Sequence, residues 1–380
     1  MRVGWEKRRL GDVLVKTETT DPTRSPNTEF DYIDVSSVSN ETLTIQGTQR
    51  LKGKDAPSRA RRLVRANDVL FATIRPTLRR IAVVPEELDE QVCSTGYFIL
   101  RPKPDVDFRF VFYFLQTGDF MAAMEKLQKG ASYPAVTDGD VRSQPIPIPP
   151  LSEQQRIVAL LDEAFAGVAT AQAHAAQNLQ NARALFESHL QSVFTHRGKG
   201  WVETTVDKLS TNLDSKRVPI TKIDRKAGEY PYYGASGIVD YVADYIFDGD
   251  ALLVSEDGAN LLMRSTPIAF SVSGKYWVNN HAHILKFENM ATQRFVEFYF
   301  ESIKLDDFVT GAAQPKLNQK ALKSIPIPIP QKLTERESIV TRLDALDAET
   351  QRLARIYEQK QAALAALKKS LLHRAFSGEF

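Results

Sequence analysis

One stretch occurs twice in this chain, and nothing else constrains its fold as tightly. Residues 145–148 read Pro-Ile-Pro-Ile and run through Leu151-Ser152-Glu153-Gln154-Gln155-Arg156-Ile157-Val158 into proline-free, alanine-rich sequence. That sequence is long enough for a helix of roughly 65 Å at ~1.5 Å per residue. The second copy begins at Pro326, passes through Leu333-Thr334-Glu335-Arg336-Glu337-Ser338-Ile339-Val340 and again opens a long run without proline, ending near Phe376. Aligning Leu151 with Leu333 also pairs Ile157 with Ile339, Leu161 with Leu343, Leu185 with Leu367 and Phe194 with Phe376, all at one offset. The helix is therefore a duplicated module. Each copy carries a capping-box pattern, Ser152 with Gln155 and Thr334 with Glu337, behind prolines that cannot extend a helix backwards.

Apolar residues inside each copy fall at alternating spacings of four and three, which is a heptad seam. The second copy supplies Ile339, Leu343, Leu346, Thr350, Leu353, Tyr357, Lys360, Leu364, Leu367 and Leu371. The same frame in the first gives Ile157, Leu161, Ala164, Val168, Ala171, Ala175, Asn178, Ala182, Leu185 and His189. Connectivity then requires the two helices, if they share one seam, to be antiparallel, with a globular part at each end and Phe380 returning to the domain that begins at Met1. The alternative is that each long helix packs only on its own domain. The segments are 1–150 and 197–332 as globular domains, with 151–196 and 333–380 as long spacer helices.

Both globular parts read as α+β with mixed sheet and few helices. In the first, Tyr32–Val35, Val69–Ala72 and Tyr97–Leu100 read as strands, and Phe110–Leu115 leads into a helix to about Lys129. The second repeats the landmarks in the same order. Gly200-Trp201 echoes Gly4-Trp5, Phe295–Phe300 echoes Phe110–Leu115, and Gly311-Ala312-Ala313-Gln314-Pro315 echoes Gly130-Ala131-Ser132-Tyr133-Pro134. Residues between the landmarks differ, as expected of a shared scaffold whose loops read different things.

A chain of 380 residues with 43% hydrophobic content is long enough for two cores, and it contains no apolar run of membrane-spanning length. Met1-Arg2-Val3-Gly4-Trp5 opens no signal peptide, and the lone Cys93 excludes an internal disulfide. A cytoplasmic location, with no membrane partner, is the expectation. Net charge is only +2, so any nucleic-acid surface must be local. Arg50, Lys52, Lys54, Arg59, Arg61, Arg62, Arg65, Arg75, Arg79 and Arg80 lie in one stretch with only Asp55 and Asp68, which leaves most of these cations without local partners. Arginine suits bidentate contact with phosphates and guanine edges. Tyr133, Tyr232, Tyr233, Ser236, Arg264, His281 and Lys316 stand in turn-rich stretches and are further candidates for DNA contact, although tyrosines in turns also pack against cores. His281 and His283 form an H-x-H pair that would share a strand face. With no cysteine near and no third histidine close in sequence, no metal is expected.

Signatures of catalysis are missing: the chain has no phosphate-binding loop, no G-x-S-x-G elbow, no H-E-x-x-H and no N-P-P-Y or D-P-P-Y methyltransferase motif. Two divergent domains, each ending in Pro-Ile-Pro-Ile-Pro or its near copy and opening a long helix, resemble the specificity subunit of type I restriction–modification systems. The stretches Tyr230–Ile238, Asn279–Leu285 and Gly311–Asn318 are similar to those of that family's target-recognition domains. The resemblance implies two mixed α/β recognition domains at opposite ends of an antiparallel two-helix coiled coil, related by a pseudo-twofold internal repeat. It implies a non-catalytic reader of a split double-stranded DNA target. Partners would be two modification subunits and restriction subunits, and S-adenosylmethionine, ATP and Mg would belong to those partners. Domains on a fixed spacer would favour half-sites about one helical turn, ~34–36 Å, apart. The competing reading is a coiled-coil structural adaptor whose end domains bind protein rather than DNA.

Overall fold

The computed structural model describes residues 4–311 and 314–380; Met1, Arg2, Val3, Ala312 and Ala313, which figure in the sequence landmarks, lie outside the described residues. The chain divides into two units, residues 1–175 with 359–380 and residues 176–358. Among the described residues, no helix is long and apolar enough to cross a membrane.

The first unit contains an antiparallel sheet in the order Ile81–Val83, Val69–Ala72, Tyr97–Leu100. Its second sheet is ordered Gln49–Lys52, Glu29–Ile33, Val92–Ser94, Ala60–Leu63, and the middle pair is parallel. The second unit has the same plan. Ala269–Val272, Ala251–Ser255 and Ala282–Phe287 correspond to the first sheet, with Ser210–Asn212 added at its edge. Gly237–Val242, Ala227–Gly234, Lys275–Val278 and Phe247–Asp248 correspond to the second, again with a parallel middle pair. The duplication inferred from the helices therefore extends through the sheets, where sequence similarity is hard to see.

The proline-isoleucine stretches are strands in their own right. Pro145–Ile148 pairs antiparallel with Glu6–Arg9, and Pro326–Pro330 pairs with Trp201–Thr205. Proline has no N–H to give a ladder, so such a strand can pair only through its isoleucines. Ile146, Ile148, Ile327 and Ile329 point into the cores and anchor the chain just before each long helix. The helices run Leu151–Thr195 and Leu333–Ser377. Both begin one residue before the expected cap. The Glu153 and Gln154 amides donate to the Pro150 carbonyl, and the Glu335 amide donates to that of Lys332. Ser152 and Thr334 therefore stand inside the first turn instead of capping it. Other boundaries also move. The strand drawn at Tyr32–Val35 ends at Ile33, because Asp34 caps a 3-10 turn at Val35–Ser37. The helix drawn from Phe110 to Lys129 is two helices, Phe108–Phe114 and Gly118–Leu127, with Thr117 capping the second.

Within each unit the long helices meet antiparallel. In the first, Ile157, Val158 and Leu161 share a core with Leu372 and Ala375, and the Lys368 ammonium lies 4.8 Å from the centre of the Phe165 ring. In the second, Phe186, Leu190 and Phe194 share a core with Ile339, Val340 and Leu343. The seam follows the expected heptads only as far as Ala175 and Tyr357. Leu185 is 63% exposed and Leu367 46% exposed, whereas Phe186 and Leu372 are buried. Leu353 and Leu364 are half-buried and Lys360 is exposed. The buried face thus slips by one residue at the same place in both copies. A straight α-helix drifts ~20° per heptad against a strict 3.5-residue repeat, and beyond the slip the buried side chains pack on a globular core as well as on a helix. Leu185→Asp is accordingly expected to shift stability by no more than about 0.5 kcal/mol in a denaturant titration. The same change at fully buried Leu343 should abolish the transition of the second unit.

Candidate nucleic-acid interface

The arginine-rich stretch finds more partners in space than along the chain. Arg50 pairs with Asp31 at 2.7 Å, Arg61 with Asp21, Arg62 with Asp138 and Arg65 with Glu90, the last three at 2.9 Å. Arg80 donates to the Val35 carbonyl at 2.6 Å. Of the ten cations, Arg50, Arg61, Arg62 and Arg65 thus pair with carboxylates that come from strands and turns 19 to 76 residues away. Such solvent-accessible pairs contribute little and can be exchanged for phosphate. Among the described residues, Arg59, Arg75 and Arg79 form no carboxylate pair, and all three are exposed.

These three lie on one group of loops. Arg75 and Arg79 bracket a 3-10 turn, Pro76–Leu78, and both have left-handed backbones, φ 49° and 55°. The Arg75 amide donates to the Pro134 carbonyl at 2.7 Å, which ties this turn to the loop carrying Tyr133. Tyr133 is 72% exposed, and the Arg75 guanidinium lies 5.0 Å from the centre of its ring. Beside them is a groove of about 320 Å³ lined by Asp34, Val35, Arg59, Ile74, Tyr133 and Ala135.

The second unit builds the same loop group with other side chains. The Gly258 amide donates to the Pro315 carbonyl at 3.0 Å, as Arg75 does to Pro134, and the Glu256 amide donates to the His281 carbonyl, as Thr73 does to Gly96. Residues 257 and 316 form the bridge that residues 74 and 135 form in the first unit. Exposed on this group are Ser236, His281 paired with Asp257 at 2.9 Å, and Lys316 paired with Glu256 at 3.3 Å.

Three sequence candidates are placed elsewhere. Tyr232 is 1% exposed, its ring covered by the Arg225 guanidinium at 4.4 Å, and Tyr233 is half-buried between Phe270 and Tyr276. Both lie on the strand Ala227–Gly234, and Tyr232 is enclosed by the fold. Arg264 occupies the left-handed position equivalent to Arg79, but its guanidinium donates to the carbonyls of Phe300 and Ile303 and closes the end of helix Met290–Ser302.

Sequence reasoning missed the buried network below the second loop group. His283 does not share the exposed environment of His281: its Nδ1 lies 2.6 Å from the Asp214 carboxylate and its Nε2 lies 2.8 Å from the Leu317 carbonyl. Arg217 donates to Glu256 at 2.7 Å and to the Ala282 carbonyl. Burial alone would raise the Asp214 carboxyl, but the His283 hydrogen bond and charge, the Ile284 amide and Asn212 outweigh it and bring it down to about 2. Asp214, Glu256 and His283 bring possible ligand atoms within 4.8 Å of one another. Arg217 already neutralises Glu256, and both His283 nitrogens are engaged, so the cluster is closed by the protein's own groups. Asn212 and Arg217 are local to Asp214 in sequence, whereas Ile284 lies 70 residues from Asp214 and Leu317 lies 34 from His283.

Comparison with known proteins gives one consistent family. The model of the type I restriction modification DNA specificity domain matches residues 2–177 and again residues 198–359. A type I restriction enzyme specificity subunit of Haemophilus influenzae is 37% identical over 145 residues, covering 38% of this chain and 37% of that protein. The specificity subunit of the type I enzyme EcoDI of Escherichia coli is 23% identical over 55% of this chain and 44% of its own length. The matched segments thus span less than half of these relatives. Among solved structures, a chain described under complex assembly and conformational transition of the type I R-M system superposes with TM-score 0.86 at 27% identity, covering 99% of this chain and 98% of that one. The HsdS subunit of Thermoanaerobacter tengcongensis superposes with TM-score 0.69, also at 27% identity, covering 100% and 98%.

Proposed function

The chain belongs to the type I restriction–modification DNA specificity family, and from that premise we propose that each unit reads one half of a split DNA target. The observation that carries this reading is the loop group, which is rebuilt on the same strand order in both units with different side chains. Two fixed scaffolds with divergent exposed loops are what reading two different base sequences requires. The chain itself does no chemistry in this reading. Modification subunits supply S-adenosylmethionine-dependent methylation, restriction subunits supply the ATP- and Mg-dependent steps, and the complex works on cytoplasmic DNA.

The test is selection from randomised duplexes by the chain together with its modification subunits, followed by sequencing of the bound fraction. A motif in two separated blocks supports the reading, and an unenriched pool from a well-folded complex would sink it in favour of an adaptor. Salt dependence adds a second check. Arg59→Ala and Arg79→Ala combined should flatten the plot of log affinity against log salt by roughly 0.9 for each phosphate contact removed. Arg61→Ala and Arg62→Ala, whose parents already hold carboxylates, should flatten it less.

A further inference from the structure

Building on the DNA-reading function, we propose that Arg75 reads a guanine in the half-site bound by the first unit. The argument begins with the backbone. Both units need a left-handed residue where the amide after the central strand meets the proline carbonyl of the neighbouring loop. The second unit uses Gly258 at φ 104°, whereas the first uses Arg75 at φ 49°. Glycine adopts that conformation without steric penalty and an L side chain does not. The strain is greater because Pro76 follows and restricts the residue before it. Strained residues held by their surroundings gather at working sites. Arg75 thus holds a long cationic side chain where the second unit has none.

What the side chain offers is specific. It forms no ion pair among the described residues, unlike Arg61, Arg62 and Arg65 nearby. Its guanidinium is steadied by the Tyr133 ring on one face and by the Ser132 carbonyl, 3.4 Å from Nη2. That leaves the rest of a planar fork of donors exposed, with its orientation set by the ring and its root set by the Arg75-to-Pro134 hydrogen bond. A fixed planar fork matches two acceptors in one plane, and guanine presents such a pair, O6 and N7, in the major groove. Phosphate needs only positive charge, which Arg59 and Arg79 supply beside it. In the second unit Gly258 removes this device, so the corresponding position of its half-site is read by other groups or left unread.

The experiment is the randomised-duplex selection, run with the complex carrying wild-type chain, Arg75→Gly and Arg75→Lys. Glycine suits the left-handed backbone, so the first variant should keep the wild-type melting temperature or exceed it; lysine keeps the charge and loses the fork. The expected result is one guanine position, in one half of the motif only, preferred by roughly 5- to 150-fold in wild type and by neither variant. All other positions should be unchanged. An unaltered motif in the glycine variant would overturn the proposal. So would uniform weakening across all sequences with a flatter salt dependence, which marks a phosphate contact. A wild-type complex that enriches no motif at all would instead overturn the function on which the proposal rests.

Discussion

Replacing Asp214 by asparagine is expected to lower the stability of the second unit by about 3 kcal/mol at neutral pH, because it leaves buried His283 without its carboxylate partner and Arg217 with Glu256 alone. The pH dependence identifies the cause. The Asp214 carboxyl titrates at about 2 in the fold against an ordinary value of 3.8. Its contribution is therefore complete above pH 3.8 and disappears as pH falls towards 2, where the unfolded chain has already taken up the proton. Over that window wild type should lose roughly 2 kcal/mol that the variant does not lose. Hydrogen exchange of the strand Ala282–Phe287, which carries His283, reports on this unit directly. Equal protection of that strand in the two proteins at pH 7 would show that the network adds nothing to stability. Because the same network backs Leu317 and Lys316, the variant should also lose whatever sequence preference the second loop group provides, while leaving the first half-site intact.

How far the sequence showed all this depends on the distance over which each interaction acts. The duplicated helices were plain because heptad spacing and a constant offset are local patterns, and landmarks such as Trp5 with Trp201 correctly paired the two domains. The seam could be placed only up to Ala175 and Tyr357. Past these points a fixed 3.5-residue frame names Leu185 and Leu367, whereas the true helical period exposes them and buries Phe186 and Leu372. Counting charge along Arg50–Arg80 found the basic stretch but could not show which four of its arginines are paired, since Asp21, Asp31, Glu90 and Asp138 arrive through tertiary contacts. Tyr232 and Tyr233 looked like turn residues because of Pro231 and Gly234. They belong to a strand, and alternation turns one of them fully inward. The strain at Arg75 had no sequence signal beyond the Arg-Pro step. It became visible only when the equivalent residue in the other unit was found to be glycine.

Ending the chain at Ser370 is expected to unfold the first unit and leave the second in place. The residues removed, 371–380, are far in sequence from most of what they touch. Leu372 and Ala375 are buried in one core with Trp5, Phe110, Ile157 and Leu161, and Leu371, Phe376 and Phe380 pack against it. The Phe376 ring lies 4.7 Å from that of Phe110 and 5.7 Å from that of Phe114, centre to centre. Each buried leucine or phenylalanine side chain contributes about 1.5–3 kcal/mol, so the loss comes to about 5 kcal/mol or more, comparable with the whole stability of a domain. Among the described residues, the core cluster that the second unit builds with the long helices draws on nothing beyond Leu346. Exchange protection should therefore vanish from Phe108–Leu127 and from the start of the first long helix, and persist in Ala251–Ser255 and Ala282–Phe287. Retained protection across Phe108–Leu127 in the shortened chain would show that the first unit closes its core without the second long helix. Loss of protection in both units would show that they fold as one cooperative body. If the first unit alone is lost, a core begun at Trp5 is completed only when the chain has passed through the whole of the second unit and returned. The antiparallel pairing of the two long helices is what makes that return possible.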